Sequence, residues 1–322
     1  MLPHTESPNV SVMPLLDEVR TSCTQVAADA RWVRIDMDAL AGDEFLAKIA
    51  APAPQGSPAE LDPMHHYLEG EPVDVADYLL ALDAINFGSG WFPTLRKRLD
   101  GGLPVSGYFT VAWGLTDYVR AQHMAGNGWA LDGAWLRAVD TRTIAGMLGQ
   151  RPDHELMSLY AQALRALGRF LGERRALDLV AECGGSAERL AQALARGMAM
   201  FDDRGFYKRA QIAAADLALA GVASFADLDR LTIFADNLVP HVLRCDGILV
   251  YDESLAARID AGELLPQGGP EREIRACAVH ACELLSARTG IPPRVLDHRL
   301  WNRGQAPEYK ARPRHRCRTV FY

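Results

Sequence analysis

Apolar residues recur every three to four positions over most of this chain, which is the spacing of one face of an α-helix. This period predicts eight helices, over 15–30, 73–87, 141–148, 154–171, 186–200, 207–221, 252–261 and 271–288. Strand signals are few and are confined to 33–37, which is partly β-branched, and to 319–322. The pattern therefore predicts a mostly α protein with minor short strands.

A further helix followed by a tight turn is predicted within 224–243. Ser224 and Asp227 have the spacing of a capping box. The apolar residues that follow at helical spacing are Leu228, Leu231 and Phe234. Pro240 fits the first position of the next helix, where its missing N–H costs nothing. Asp236 is therefore expected in a turn between two helices, beside the N-terminus of the second.

Asp236 is the first candidate for chemistry. Free backbone N–H groups and the helix dipole keep a carboxylate ionised at such a position. An anion fixed beside Phe234 and other apolar groups can stabilise a developing cation. The alternative is a structural role, in which Asp236 only caps the helix.

Composition limits the kind of partner. About half of the 322 residues are apolar, and the formal net charge is −7. This balance argues against a general polyanion binder, so any bound nucleotide is expected to be small and held in a local pocket. The same reading predicts a loosely ordered 1–10, a loop over 51–58 rich in proline, and one helical unit over 11–322 with two lobes.

The six cysteines are scattered and form no C-x-x-C pair, so neither a zinc site nor a disulfide framework is indicated. His241 and Cys245 lie four apart on a helix, but two ligands do not make a metal site. No apolar run approaches the roughly 18 residues of a membrane span, and no signal peptide is recognisable. We expect a cytoplasmic protein without a membrane partner.

Other polar residues have two interpretations each. Lys208 lies at the edge of an apolar stripe, where a lysine side chain commonly extends to solvent. In the functional interpretation, Lys208 instead orders Asp236 or binds a phosphate of the substrate. Asp83 and Asn86 are three apart on a helix and can order each other or a ligand. The 96–98 run of basic residues is predicted to be a solvated turn. Glu271 and Glu273 lie in the predicted first turn of a helix, where interaction with the helix dipole is sufficient to explain acidic residues.

Six segments, in order, resemble the signature of the queuosine salvage family, the queuosine 5′-phosphate N-glycosylase/hydrolases. They are D-A-I-N-F at 83–87, F-Y-K-R-A-Q-I at 206–212, F-A-D-N-L-V-P-H-V-L at 234–243, E-R-E-I-R at 271–275, L-D-H-R-L-W at 296–301, and P-R-H-R-C-R at 313–318. The resemblance implies an all-helical fold similar to helix-hairpin-helix DNA glycosylases. It also implies hydrolysis of queuosine 5′-monophosphate to queuine and ribose 5-phosphate, with no metal or organic cofactor required.

The resemblance extends to individual residues. It implies that Asp236 stabilises the sugar cation and activates water, that Lys208 supports it, and that Phe234 stacks on the base. It places Asp297 in the base pocket, whereas spacing alone suggests a cap for a last helix. A family histidine that contacts the base corresponds to either His65 or His66.

Three further expectations concern the base pocket and the tail. Asp83 and Asn86 join the list of substrate-binding candidates. Asn302 stands where the family has an acidic residue, which puts a charged role there in doubt. The basic tail over 310–318 either balances an acidic body in solvent, binds phosphate, or, as the family ending suggests, packs back on the protein.

Two other functions remain open from the residues. One is a non-catalytic binding module for a modified base or a tRNA end, although the net acidity argues against a broad RNA footprint. The other is a DNA-repair glycosylase, suggested by fold analogy alone. The chain has no lysine- and glycine-rich hairpin or basic face suited to gripping a duplex.

Overall fold

The computed structural model describes residues 13–51 and 61–322, so the predictions for 1–10 and for most of the 51–58 loop lie outside the described residues. The α-helices in this part of the chain are α1 Leu15–Ala28, α2 Met37–Ala41, α3 Asp43–Ala50, α4 Pro72–Ala84, α5 Gly107–Met124, α6 Gly133–Ala138, α7 Thr141–Met147, α8 Glu155–Leu171, α9 Ala176–Glu182, α10 Ala187–Gly197, α11 Lys208–Leu219, α12 Val239–Cys245, α13 Glu253–Asp260, α14 Pro270–Thr289, α15 Pro293–Arg303 and α16 Pro307–Lys310. The mostly α prediction is confirmed.

The strands are short and pair only in twos within the described ranges. They are β1 Val33–Ile35, β2 Leu99–Asp100, β3 Leu103–Pro104, β4 Leu249–Tyr251, β5 Leu264–Leu265 and β6 Arg316–Cys317. Strands β1 and β4 pair antiparallel, β2 and β3 form a hairpin, and β5 and β6 pair parallel. None of the described helices combines the length and apolarity that a membrane crossing requires.

All eight helices predicted from the apolar period are present, with ends shifted by a few residues. Side-chain caps account for several of these ends: Ser106, Asp132, Asp140, Ser186 and Asp252 each accept a backbone N–H in the first turn of the helix that follows. Buried helices α4 and α11 pack against each other, and α1 lies along α14. The apolar faces that the period identifies therefore meet in one core.

The helix predicted over 224–234 is wrong, because that stretch contains only a 3₁₀ turn at Leu228–Arg230. Asp227 does not complete a capping box with Ser224. Its carboxylate accepts instead from the backbone N–H groups of Ala187 (2.7 Å) and Glu188 (3.3 Å), and from the Ser186 hydroxyl. The segment is thus held at the start of α10, and the Asp227 carboxylate satisfies free N–H groups of that helix end.

The strand predicted over 319–322 is also wrong, since the tail forms its strand earlier, at β6. The final residues turn inward. Gly88 N–H donates to the Tyr322 carbonyl (3.0 Å), and the buried Arg209 guanidinium donates to the Val320 carbonyl (2.7 Å). The side chain of Tyr322 is buried, so the tail packs back on the protein as its resemblance to the family ending suggested.

Three histidines are buried in the neutral form. Burial lowers the pKa of His66 and of His241 to about 4, and burial together with nearby Arg275 lowers the pKa of His315 to about 3. An unfolded histidine titrates near 6.5. As pH falls below about 6.5, the unfolded chain binds protons that the folded chain does not, so folding free energy is lost until the folded pKa is reached.

We expect the free energy of unfolding to fall with decreasing pH between about 6.5 and 4, each buried histidine contributing up to about 1.4 kcal/mol per pH unit. Urea unfolding at several pH values measures this slope. His315→Gln should reduce the slope by about one proton, whereas His123→Gln, at an exposed site, should leave it unchanged. An identical slope in His315→Gln and the parent would contradict the assignment.

Candidate active site

A cavity of about 510 Å³ opens between the start of α5, helix α11, the turn before α12, helix α15 and the C-terminal tail. Five of the eight residues predicted for the site line it: Asn86, Lys208, Phe234, Asp236 and Asp297. These residues come from four separate stretches of sequence. The fold therefore brings most of the predicted site together.

Asp236 lies in the turn that precedes α12, as predicted. Its Oδ1 accepts the backbone N–H of Leu238 (2.6 Å), and the side chain remains half-buried. The residues before it are held by two hydrogen bonds between Thr232 and the buried Gln211, at 2.9 Å each. The carbonyl of Ala235 accepts from Arg275 Nε (2.9 Å). The carboxylate is thus fixed in the cavity wall from both sides.

Lys208 begins α11, directly after Tyr207, whose left-handed conformation (φ 49°) turns the chain into the helix. The lysine side chain is only 4% exposed, so the alternative in which it extends to solvent is wrong. Burial lowers the pKa of its ammonium, and Asp236 is the largest of the neighbouring charges that oppose this shift. The Nζ atom lies 3.5 Å from Asn86 Oδ1. Lys208 and Asp236 therefore form a cation and anion facing one cavity.

Asp297 does not cap the last long helix, because it lies inside α15 and is 5% exposed. Its Oδ1 accepts the backbone N–H of Phe234 (2.8 Å). Trp301 follows one turn later and lines the same cavity. Asp297 thus tethers the turn that carries Phe234 while presenting a carboxylate next to two aromatic side chains.

The two candidate histidines lie behind the cavity wall. His66 Nδ1 lies 3.0 Å from the Asp62 backbone nitrogen and 3.1 Å from the Asp62 carbonyl oxygen, and Nε2 forms a hydrogen bond with the Tyr108 hydroxyl (3.0 Å). Tyr108 itself lines the cavity. His65 pairs with the Asp62 carboxylate and packs against Phe109. Of the pair, His66 is the one connected to the cavity, through Tyr108.

Asp83 is fully buried behind α11 and does not line the cavity. Burial, followed by the charge of Asp216, raises the pKa of the Asp83 carboxyl, and Lys208 opposes that shift. Asp216 was not singled out from the sequence, yet it lines the cavity with Ile212. The spacing Lys208, Ile212, Asp216 is that of one helical stripe, and this was the available signal.

Lys97 was not predicted to belong to the site. The tail was predicted to pack back on the protein, but its cavity-lining residues were not identified. Lys97 was assigned to a solvated turn, but it is half-buried and lines the cavity. Tyr322 and Arg314 of the tail line it as well. The tail and the 96–98 turn become neighbours only in the folded chain, so no local pattern could pair them.

The cavity therefore combines a fixed carboxylate, a buried ammonium and aromatic side chains. Lys97 and Arg314 form a cationic side of the same cavity. A carboxylate in a partly desolvated wall can stabilise positive charge that develops on a bound molecule, and it can accept a proton from water. The aromatic groups offer flat surfaces for a ring system.

Comparison with known proteins places this chain among related sequences. A model of the family described as queuosine salvage protein matches residues 65–322. A protein of Sphaerobacter thermophilus named queuosine 5′-phosphate N-glycosylase/hydrolase is 33% identical, over 94% of this chain and 97% of its own. The mouse protein of the same name is 27% identical, over 94% of this chain and 98% of its own. A protein of Dictyostelium discoideum with that name is 37% identical over 36% of this chain and 40% of its own.

The family model covers more than half of the chain, including every residue that lines the cavity. The Sphaerobacter protein is similar over nearly the full length of both chains. This chain belongs to the queuosine salvage protein family.

Proposed function

We propose that this protein hydrolyses the N-glycosidic bond of queuosine 5′-monophosphate, releasing queuine and ribose 5-phosphate. Water adds its oxygen to the anomeric carbon as the bond from that carbon to the base nitrogen breaks. One water proton leaves to a base and the departing nitrogen gains a proton, so no oxidant or reductant is needed. Cleavage builds positive charge on the ribose ring, as in other glycoside hydrolyses.

The observation that carries the proposal is the position of Asp236. Its carboxylate is held by Leu238 N–H and faces a cavity of about 510 Å³, within the size range of small-molecule sites. An anion fixed there stabilises the ribosyl cation without reorganising during the reaction. It also accepts the proton of the attacking water. Buried Lys208 lines the same cavity, and Asp236 is the largest of the nearby charges that oppose the lowering of its ammonium pKa.

The base is proposed to lie on the side of the cavity formed by Phe234, Trp301 and Asp297. The two aromatic rings suit a flat deazaguanine. One oxygen of Asp297 is occupied by Phe234 N–H, and the carboxylate still presents negative charge to the cavity. We assign to it the polar edge of the base or the secondary ammonium of the queuine side arm.

The direct test is incubation of the purified protein with queuosine 5′-monophosphate, followed by mass detection of queuine and ribose 5-phosphate. Stoichiometric release of both supports the proposal. Tight binding of the intact nucleotide without release would favour the non-catalytic binding module instead. A duplex carrying a damaged base, assayed for abasic sites, tests the DNA-repair alternative.

Asp297→Asn is expected to weaken queuine binding by roughly 1.5–3 kcal/mol if the carboxylate pairs with the side-arm ammonium, the range for hydrogen bonds to charged groups. The amide keeps an acceptor for Phe234 N–H, so the turn should hold. Calorimetric titration of queuine and of guanine measures the effect. Equal weakening of both ligands assigns Asp297 to the guanine-like edge, and unaltered binding of both removes it from the base pocket.

A reducing compartment, the cytoplasm, is the proposed location. All six cysteines are free, and five of them are buried. Buried free thiols are consistent with a reducing environment, where disulfides are rare. Fractionation of cells that express the protein tests this assignment.

A further inference from the structure

The histidines of the 65–66 pair do not line the cavity, but Tyr108 does. His66 is 0% exposed and His65 is 7% exposed. Tyr108 lies in front of His66, because its hydroxyl forms a hydrogen bond with His66 Nε2 (3.0 Å), and the two ring centroids are 5.9 Å apart. Of these three side chains, the phenol of Tyr108 is therefore the one that a bound molecule can reach.

The backbone that carries Tyr108 is held in place at the start of α5. The Ser106 hydroxyl accepts the Phe109 N–H (3.1 Å) and so caps the helix. A Cβ added to Gly107 would lie 2.2 Å from the Phe92 Cγ atom, so the helix start packs directly on that ring. The position of Tyr108 is thus set before any molecule binds, which lowers the entropy cost of a hydrogen bond to it.

His66 fixes the direction of the Tyr108 hydroxyl. Its Nδ1 atom is anchored to the backbone of Asp62, 3.0 Å from the nitrogen and 3.1 Å from the carbonyl oxygen. Burial lowers the pKa of His66 to about 4, so the imidazole is neutral near pH 7. A neutral imidazole bonds to a hydroxyl in either tautomer, because a hydroxyl both donates and accepts. The phenol is thus oriented from behind by an uncharged group, and a phenol can form more than one hydrogen bond.

Tyr108 is next to the aromatic side of the cavity. The ring centroid of Phe109, the following residue, lies 6.3 Å from that of Trp301, which lines the cavity. A phenol offers a donor and acceptor sites without charge, so it suits a carbonyl, amino or hydroxyl group. Groups of this kind occur on the edge of a guanine-like base and on a ribose.

We propose that Tyr108 binds an uncharged polar group of the nucleoside, either on the edge of the base or on the ribose, and that His66 is a positioning residue acting through it. This inference rests on the proposed function. Tyr108 then contributes to specificity, because a molecule without the matching group leaves the hydroxyl without its partner in the cavity wall. His66 itself touches no substrate atom.

The test is a double-mutant cycle on kcat/KM for queuosine 5′-monophosphate. Tyr108→Phe removes only the hydroxyl, and we expect a fall of about 3- to 10-fold, the range for one neutral hydrogen bond. His66→Leu should cause a similar fall in the parent and none in the Tyr108→Phe background, because the two side chains act as one unit. His66→Gln, whose amide can still bond to the hydroxyl, should keep most of the parent value.

Tyr118→Phe is the matched control. Tyr118 lies on the same helix, packs on Trp135 at 5.4 Å between ring centroids and does not line the cavity. Its loss of a hydroxyl should leave kcat/KM unchanged. Additive losses in the cycle would overturn the role of His66. If circular dichroism shows that His66→Leu does not fold, a loss in His66→Gln that persists in the Tyr108→Phe background would overturn it equally.

Calorimetric titration identifies the group that Tyr108 binds, without turnover. Tyr108→Phe should weaken the binding of queuine if the hydroxyl contacts the base, or of ribose 5-phosphate if it contacts the ribose, and either result supports the contact. Unaltered kcat/KM and unaltered binding of both molecules in folded Tyr108→Phe would overturn it. If queuine binds but no form of queuosine is cleaved, the proposed function fails and the titration still tests Tyr108. A parent protein that neither cleaves the nucleotide nor binds either product would overturn both.

Discussion

Replacing Asp236 by asparagine is expected to lower the turnover of queuosine 5′-monophosphate by about 10²–10³, the loss typical of one preorganised electrostatic group. The amide has nearly the same shape, and its oxygen can still accept the Leu238 N–H. Only the negative charge opposite the ribosyl cation is lost. Single-turnover release of queuine, measured at saturating nucleotide, reports this step.

Two controls separate chemistry from folding. Asp229→Asn changes a 66% exposed carboxylate on the 3₁₀ turn of the same segment, and it should leave turnover unchanged. Queuine affinity in Asp236→Asn should stay close to that of the parent, because the base pocket is intact. A folded Asp236→Asn protein with the parent's rate would reduce Asp236 to a structural cap.

Arg275→Met is expected to destabilise the protein by about 3–5 kcal/mol, the cost of breaking a buried ion pair by removing one partner. Arg275 is 3% exposed, and both of its terminal nitrogens donate to the Asp203 carboxylate, which is also buried. Its guanidinium stacks 3.9 Å from the Phe206 ring centroid and 4.5 Å from that of Tyr322. Loss of the cation leaves Asp203 buried and unpaired.

Urea unfolding followed by circular dichroism measures this loss. Arg151→Met removes a 76% exposed arginine that pairs with Asp153, and it should cost less than about 1 kcal/mol. Adding Asp203→Leu to Arg275→Met should restore part of the stability, because Asp203 no longer leaves a buried unpaired carboxylate. The recovery should be incomplete, since the buried Glu271 carboxylate, 3.5 Å from Arg275 Nη1, also loses its cation. A change below about 1 kcal/mol in Arg275→Met would show that the pair contributes little.

The Arg275 variant should also lose activity beyond its stability effect. Arg275 Nε donates to the Ala235 carbonyl, next to Asp236, and its ring contact holds Tyr322 in the cavity wall. Arg275 is thus a positioning residue for Asp236 and for Tyr322. Activity measured at a temperature where the variant is fully folded separates this effect from unfolding.

Local patterns determined the fold class and most helix positions. The apolar period of α8, α10 and α14 was sufficient because one helical face of each is buried in the core. Capping residues such as Asp252 marked ends within a few positions, since their partners lie in the next turn. The turn that carries Asp236 was predictable for the same reason, as Pro240 and its neighbours act locally.

Local patterns failed where the deciding partner lies far along the chain. Asp227 and its neighbours were predicted to be helical, but the carboxylate serves the N-terminus of α10, about forty residues earlier. Glu273 lies in the first turn of α14, where the helix dipole alone would favour an acidic residue. Its carboxylate nevertheless accepts hydrogen bonds from the backbone N–H groups of Arg31 and Trp32, and so it positions β1. Neither contact leaves a periodic signal.

The active-site candidates divide along the same line. Asp236, Lys208, Phe234 and Asp297 were found from the sequence through their resemblance to a family signature, while their burial and mutual contacts required the fold. The cationic side was missed because Lys97 and Arg314 meet only after the tail has packed across the cavity. Spacing along a chain encodes neighbours on one helix. Charges that meet from distant segments are decided by packing, which only the tertiary structure specifies.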